Sequence, residues 1–300
     1  DLALGYQITQ FYYPIVSNGV IEIEVEGKIK KICVERIHLE QDAGKSIHDN
    51  SDKYTLVDFN RAGIALMEIV TAPDLRSPEE ASQCLKKLRS ILRYIHTCDG
   101  NMEQGSLRCD ANVSVRRAGE PLGTRCEIKN LNSIKNIVKA IEYEGLRQVE
   151  ILESNGKIEQ ETRLFDAQTG KTRLMRSKED AQDYRYFSDP DLLPLILEDP
   201  HIEKIAQNLP ELPDAKAARY VEQFGVTKYD AFVLVAEQEI AQYFEQAACQ
   251  ADAKAVANWI TGELFSYLNK SNLEISSCPV PPKNLAQLIN LVKDGSISIK

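Results

Sequence analysis

Four short stretches carry side chains that could do chemistry at strand spacing. Residues two apart on a strand share a face, so in R-I-H-L-E-Q-D the groups Arg36, His38, Glu40 and Asp42 point one way, and Ile37 and Leu39 the other. The same period in L-R-C-D-A-N-V-S-V-R sets Arg108, Asp110, Asn112, Ser114 and Arg116 opposite Leu107, Cys109, Ala111, Val113 and Val115. Glu127 and Lys129 share a face in C-E-I-K-N, as do Asp58 and Asn60 in V-D-F-N-R. Any one of these alone also reads as the wet side of an antiparallel sheet. Together they carry Asp, Asn, His and Arg where a solvated face favours Lys, Glu and Thr. Those types suit metal coordination and phosphate binding. Two or three carboxylates on neighbouring strands, with nucleotide phosphates, could complete a magnesium site, which points toward ATP chemistry on a sheet floor. Familiar nucleotide loops are absent: Leu39 to Ser46 ends like a P-loop but has Leu39 where glycine is required, and there is no G-x-G-x-x-G.

The elements that must position these groups are mostly strands. Ile21, Ile23 and Val25 alternate with Glu22, Glu24 and Glu26 before Gly27-Lys28, and apolar residues resume at Ile29 and Ile32, which predicts an antiparallel hairpin. A second hairpin is expected from Y-T-L-V-D-F-N-R through Ala62-Gly63 into I-A-L-M-E-I-V-T-A-P, and a third turns between Asp166 and Gly170. Ser77-Pro78-Glu79-Glu80 supplies an N-cap, a first-turn proline and a capping-box glutamate for a helix with Ala81, Cys84, Leu85, Leu88, Ile91, Leu92 and Ile95 on its core face. Lys86, Lys87, Arg89 and Arg93 fall off that face, as a solvated helix surface would have them. Ser133 caps another helix, with Ile134, Ile137, Val138, Ile141, Leu146 and Val149 as its apolar positions and Asn155-Gly156 as its end. The stretch from Ser188 to Pro213 is proline-rich without a period, as a junction should be. Beyond Asp214 the pattern is helical, with Tyr220, Phe224, Phe232, Val235, Tyr243, Phe244, Val256, Trp259, Ile260, Leu264 and Leu268 as apolar stripes. The expected organisation is α+β: a sheet domain over 1–200, a helical domain over 201–280, and the start of a further domain at 281–300.

Composition bounds the function classes. Three hundred residues at 43% hydrophobic and 27% charged describe an ordinary globular chain of about two domains. No apolar run reaches the ~20 residues of a membrane helix. Seven cysteines, an odd number with no C-x-x-C pair, indicate neither a disulfide framework nor a zinc knuckle and fit a reducing compartment. A net charge of -9 excludes a surface coated for indiscriminate nucleic-acid binding but leaves room for a local basic path. Arg163, Arg173, Arg176 and Lys178 form the densest basic cluster near the functional strands, and the alternative for them is ordinary surface charge on a two-stranded ribbon. The opening at Asp1, with no initiator methionine or leader pattern, suggests a piece of a longer polypeptide.

Five ordered blocks then become recognisable: E-R-I-H-L-E-Q-D-A-G-K-S (35–46), V-D-F-N-R-A-G-I-A-L-M-E-I-V-T-A-P-D-L-R-S-P-E-E-A (57–81), N-M-E-Q-G-S-L-R-C-D-A-N-V-S-V-R (101–116), E-I-K-N-L-N-S (127–133) and D-Y-R-Y-F-S-D-P-D-L (183–192). They resemble the B subunits of the aspartyl/glutamyl-tRNA(Asn/Gln) amidotransferases. L-P-E-L-P (209–213), Y-D-A (229–231) and A-N-W (257–259) look like the family's helical domain, and the last residues like the opening of its tail domain. The resemblance implies an antiparallel cradle similar to glutamine synthetase and guanidino kinases. It implies ATP-dependent, Mg2+-assisted amidation of Glu-tRNA(Gln) and/or Asp-tRNA(Asn), with ammonia from a glutaminase partner of amidase type and a small third subunit that braces the pair. The compartment it suggests is the bacterial cytoplasm, or an organelle.

On the family pattern Glu103 and Glu127 are the metal ligands, against Glu103 shaping a turn beside Gly105 and Glu127 pairing with Lys129. Arg108, Asp110, Asn112 and Lys129 become the ATP-facing set, with Arg108 and Lys129 on phosphate or the activated carboxylate, against structural salt bridges to Asp110 or Glu127. The catalytic set is Glu103, Glu127, Arg108 and Lys129, and the tRNA candidates are Arg163, Arg173, Arg176 and Lys178. Two positions depart from the pattern. Gln41 replaces an acid, which argues against catalysis there, and Ser188 replaces the proline usual after D-Y-R-Y-F. A strand carrying a further glutamate and histidine is expected before Asp1, and the rest of the tail domain after Lys300. The competing readings are a tRNA-independent amide ligase of the glutamine synthetase class and a non-catalytic scaffold for tRNA and partner.

Overall fold

The computed structural model describes residues 4–47, 54–177 and 188–298. The chain divides into two compact units, one of residues 1–87 and 102–196, the other of 88–101 and 197–300. The boundary cuts the first helix, α1 (Pro78–Tyr94), after Lys87. Among the described residues no helix is long and apolar enough to cross a membrane.

The first unit is built on two main sheets. β1 (Val16–Val25) and β2 (Lys28–Gln41) form the expected hairpin, closing at Val25↔Lys28. Glu26 and Gly27 both take positive φ, 51° and 74°, as the primed turns that match strand twist require. The alternation is realised in the burial of Ile21, Ile23, Ile32 and Val34. The second hairpin does not form. β4 (Leu56–Asp58) pairs with β3 (Lys45–Ile47), while β5 (Ala65–Thr71) pairs with β2 from Val34↔Thr71 to Gln41↔Ala65. β2 is 14 residues long and its open edge offers β5 more ladder than the 3-residue β4 could.

The second sheet has the order β6-β7-β8-β9: β6 (Ala111–Val113), β7 (Cys126–Lys129), β8 (Glu161–Asp166) and β9 (Lys171–Ser177). β7 and β8 run parallel, a departure from the all-antiparallel expectation. The 20-residue helix α2 (Ile134–Glu153) connects them, and a crossover of that kind returns the chain in the same direction. β8 and β9 form the third expected hairpin, where Asp166 Oδ1 accepts from Gln168 N (2.9 Å) and Gly170 takes φ 68°.

Both predicted helix starts are seen. Glu80 N donates to Ser77 Oγ (3.1 Å) and Asn136 N to Ser133 Oγ (3.2 Å). The Glu80 carboxylate, however, accepts from Arg76 N and Lys30 Nζ. Over its second half α2 turns a polar face inward: Glu144 and Gln148 are fully buried, whereas Leu146 and Val149, expected in the core, are 65% and 39% exposed. The buried carboxylate is sustained by partners, since Arg147 (2.6 Å), Gln148 (2.9 Å) and Thr172 (3.0 Å) donate to Glu144 and Arg163 Nε lies 3.4 Å away. Burial pushes its pKa up, but these bonds outweigh it and hold the carboxyl below its ordinary value.

The second unit is helical. α3 (Asp199–Gln207), α4 (Pro213–Phe224), α5 (Lys228–Leu234), α6 (Gln238–Ala248), α7 (Ala253–Trp259), a π turn (Ile260–Leu264) and α8 (Phe265–Ser271) lead to α9 (Pro282–Lys293). Tyr220, Val235, Tyr243, Phe244, Val256, Ile260, Leu264 and Leu268 share one core as expected, while Phe232 is 40% exposed. Leu285 and Ile289 of α9, read from the sequence as the opening of a further domain, are buried in that core too. α3 lies in the stretch read as a junction: it buries no residue, so it leaves no core-facing period to read.

Candidate functional site

The polar face of β2 is the inward one where it approaches its end. His38 is 1% exposed, while Leu39, its neighbour on the other face, is 42% exposed. Glu40 lies two residues on, and Glu68 of β5 stands directly across the ladder from His38. Cross-strand and next-but-one positions share a face, so three ligand-type groups converge. His38 Nε2 is 3.7 Å from Glu40 Oε2 and 3.6 Å from Glu68 Oε2. Among the described residues, this is the one group of three or more His, Cys, Asp or Glu with ligand atoms all within 4.8 Å of one another.

The electrostatics of the cluster are unbalanced. Both ring nitrogens of His38 are buried and without a hydrogen-bond partner, which is costly for a polar ring. Burial lowers the His38 pKa, as does Arg36, against the pull of Glu68, so the ring is neutral near pH 7. Burial and the Glu68 charge push the Glu40 carboxyl up to about 7, although Gln7 Nε2 donates to its Oε1 (3.1 Å). A neutral imidazole, with one free lone pair and an unpartnered N–H, beside two carboxylates that repel each other is a donor set short of one cation. A divalent ion fits that chemistry. The ring is fixed by Phe11, edge-to-face at 5.8 Å.

Beyond Glu40 the same face continues into ion pairs. Asp42 accepts from Arg61 Nε (2.9 Å) and from Arg108. Burial works against its charge, but the two guanidiniums hold its pKa below the ordinary value. The Arg108 side chain remains 53% exposed, so it can offer donors to a further acceptor. On the second sheet Lys129 pairs with Asp110 and with Glu127 Oε1 (3.0 Å), and Thr162 Oγ1 donates to Glu127 Oε2 (3.0 Å). Burial disfavours the ammonium, yet these two carboxylates keep the Lys129 pKa raised.

The residues singled out from sequence are therefore placed unequally. Arg108 pairs with Asp42 rather than Asp110, and Lys129 with both acids of its own sheet. Asn112 lies across the ladder from Glu127 and is exposed. Glu103 is an exposed residue of the Met102–Gly105 turn, closed by Gly105 N donating to Met102 O (3.3 Å) with Gly105 at φ 75°. Neither Glu103 nor Glu127 belongs to the His38 cluster. Of the basic group, Arg163 is only 11% exposed in its side chain and is engaged by Glu161, Glu144 and Thr172, so its guanidinium faces the protein. Arg173 is exposed, only the backbone register of Arg176 opposite Thr162 is described, and Lys178 lies outside the described residues. So does the whole of D-Y-R-Y-F, residues 183–187. Glu68 was missed from sequence, although an acid between Leu66 and Val70 on one strand face is the signal that marks it.

Comparison with known proteins adds a second line of observation. Residues 1–203 match a family model described as the GatB/GatE catalytic domain, and residues 242–300 match one described as the GatB domain. The whole chain is 60% identical over 301 residues to the B subunit of the aspartyl/glutamyl-tRNA(Asn/Gln) amidotransferase of Rickettsia canadensis (strain McKiel). It is equally similar to that of Rickettsia conorii, and 58% identical to that of Rickettsia felis. The chain spans 62% of the length of each of these relatives.

Proposed function

Since the chain belongs to the GatB/GatE catalytic-domain family, we propose that the whole protein is the activating and amidating component of a tRNA-dependent amidotransferase. Its substrate is Glu-tRNA(Gln) and/or Asp-tRNA(Asn). A glutaminase partner of amidase type supplies ammonia, and a small third subunit joins the pair. The two sheets of the first unit serve as a cradle similar to that of glutamine synthetase and guanidino kinases, in the bacterial cytoplasm.

The chemistry sets what the cradle must do. A carboxylate is a poor electrophile, so one of its oxygens first attacks the γ-phosphorus of ATP; the bond to the ADP oxygen breaks and an acyl phosphate forms. Ammonia then adds to the carbonyl carbon, phosphate departs, and the nitrogen loses a proton to leave the amide. Both steps need alignment and charge neutralisation more than covalent help. A magnesium ion bound there would neutralise charge on the transferring phosphate. His38, Glu40 and Glu68 would hold it. Arg108, anchored on Asp42 but half exposed, is aimed to meet phosphate oxygens, and Lys129 neutralises charge from the second sheet with Asp110 and Glu127 fixing its ammonium. Asp110 and Asn112 line the ATP side of that sheet. Glu103, on the turn beside Arg61, and Glu127 lie outside that cluster and would serve as ligands of a separate ion. Arg173 and Arg176 lie on the RNA approach.

The observation that carries the reading is the His38–Glu40–Glu68 cluster, in which the buried His38 ring has two unpartnered nitrogens. It is tested by amidation of Glu-tRNA(Gln) with the full complex, ATP and Mg2+. His38→Ala should lose amidation by a hundredfold or more, on the order seen when transition-state charge stabilisation is removed, while glutamine hydrolysis by the partner persists. Wild-type amidation in that variant would overturn the assignment.

A further inference from the structure

We propose that Thr162 is a positioning residue for amidation: its hydroxyl fixes the Glu127 carboxylate and, through it, the Lys129 ammonium. The inference rests on these two groups acting in the amidation site. A parallel pairing brings the three side chains together. Glu127 of β7 and Thr162 of β8 are partners in register, and Thr162 Oγ1 donates to Glu127 Oε2 (3.0 Å). The other oxygen, Oε1, lies 3.0 Å from Lys129 Nζ, which also pairs with Asp110. Both carboxylate oxygens are thereby engaged, one by a neighbouring strand and one by the ammonium, so the plane of the carboxyl is set. The Glu127 and Lys129 side chains are still 32% and 23% exposed, so neither is sealed off from a ligand.

Thr162 is itself held from behind. Side chains alternate along β8, so Arg163 turns into the protein and Thr162 takes the opposite face. Glu161, Thr172 and the buried Glu144 of α2 engage the Arg163 guanidinium. Thr172 Oγ1 accepts from Arg163 Nε (2.9 Å) and donates to Glu144 Oε2 (3.0 Å), so hydrogen bonds as well as charge close the anchor. At this point the β8–β9 ladder shifts: Thr162 pairs with Arg176 but Arg163 with Leu174, which skips Met175. An extra residue of that kind re-aims side chains, and such irregularities gather beside functional sites. An ordinary cross-strand pair on a wet face needs neither the shift nor the anchor. Without the Thr162 hydroxyl the Glu127 carboxyl is free to rotate, and Lys129, a point charge on a flexible four-carbon stem, loses one of its two fixed partners.

The test uses the full complex with Thr162→Val, which keeps the shape and removes the donor, and Thr162→Ser, which keeps the hydroxyl. Thr162→Val should lower kcat for amidation of Glu-tRNA(Gln) by roughly tenfold or more, the usual effect of removing a partner that orients a ligating carboxylate. Melting temperature, glutamine hydrolysis and equilibrium binding of Mg-ATP should not change, because the alignment counts in the transition state. Thr162→Ser should retain wild-type kcat. In a Glu127→Gln background, followed in single turnovers, Thr162→Val should cost nothing further, since residues acting through one group are not additive. The positioning role is overturned by wild-type kcat in Thr162→Val, by equal losses in the Val and Ser variants, by a loss that follows the melting temperature, or by losses that multiply in the double variant. Glu127→Gln and Lys129→Ala separate it from the reading beneath. Wild-type amidation in both removes these groups from the site, and Thr162 with them; losses there beside an unchanged Thr162→Val defeat the positioning role alone.

Discussion

Glu40→Gln should make the protein more stable and useless to a cation at the same time. In the cation-free protein the Glu40 carboxyl ionises at about 7 instead of 4.5, because burial and the Glu68 charge oppose its anion. At about 1.4 kcal/mol per pH unit, that displacement corresponds to roughly 3 kcal/mol against the charged form. The side chain is only 10% exposed, so solvent screening removes little of it. With a raised folded-state pKa, the folded protein binds more protons than the unfolded chain between about 4.5 and 7. Stability therefore falls as pH rises through that window and flattens above it. Glutamine keeps the shape and can still accept from Gln7, but never ionises. Chemical denaturation should find the variant within a few tenths of a kcal/mol of wild type at pH 4.5 and up to ~3 kcal/mol more stable at pH 8. Saturating Mg2+ or Mn2+ should reverse the order: a ligand at a thousand times its Kd adds about 4.1 kcal/mol to the wild type, and little to the variant. The reasoning is refuted if the pH 8 stabilities coincide and the cation stabilises both proteins equally.

Two further outcomes follow from the ion pairs. Arg163→Ala strips the buried Glu144 of a cationic neighbour and should cost roughly 3 kcal/mol by denaturant titration; the salt dependence of tRNA binding should stay as it is, while Arg173→Ala should lower that slope by about one. A reduced slope in Arg163→Ala at unchanged stability would contradict its enclosed placement. Glu103→Gln, on an exposed turn, should leave thermal stability without added cation within about 0.5 kcal/mol of wild type, so any loss of amidation it causes reports directly on ligation; full amidation removes Glu103 from the site.

Local rules visible in the sequence determined a great deal here. The first hairpin, whose turn falls at Glu26-Gly27 one residue before the Gly27-Lys28 read from sequence, the caps at Ser77 and Ser133 and the Asp166–Gly170 turn are set by a few neighbouring residues, so they could be read one by one. Alternation likewise identified the shared face of Arg36, His38, Glu40 and Asp42. It could not say which way that face points, because period 2 fixes phase and not direction; only the packed structure turned His38 inward and left Leu39 outside. Helical spacing misassigned the end of α2 for a related reason, since Leu146 and Val149 have the right period but Arg147, Arg163 and Thr172 make it favourable to bury Glu144 instead. The partners of β4 and β5 were decided by competition for the long edge of β2, a comparison between segments that no single segment contains. That choice brought Glu68 across from His38, residues thirty positions apart in the chain. The ligand types were legible in the sequence, but the cluster is a product of strand pairing.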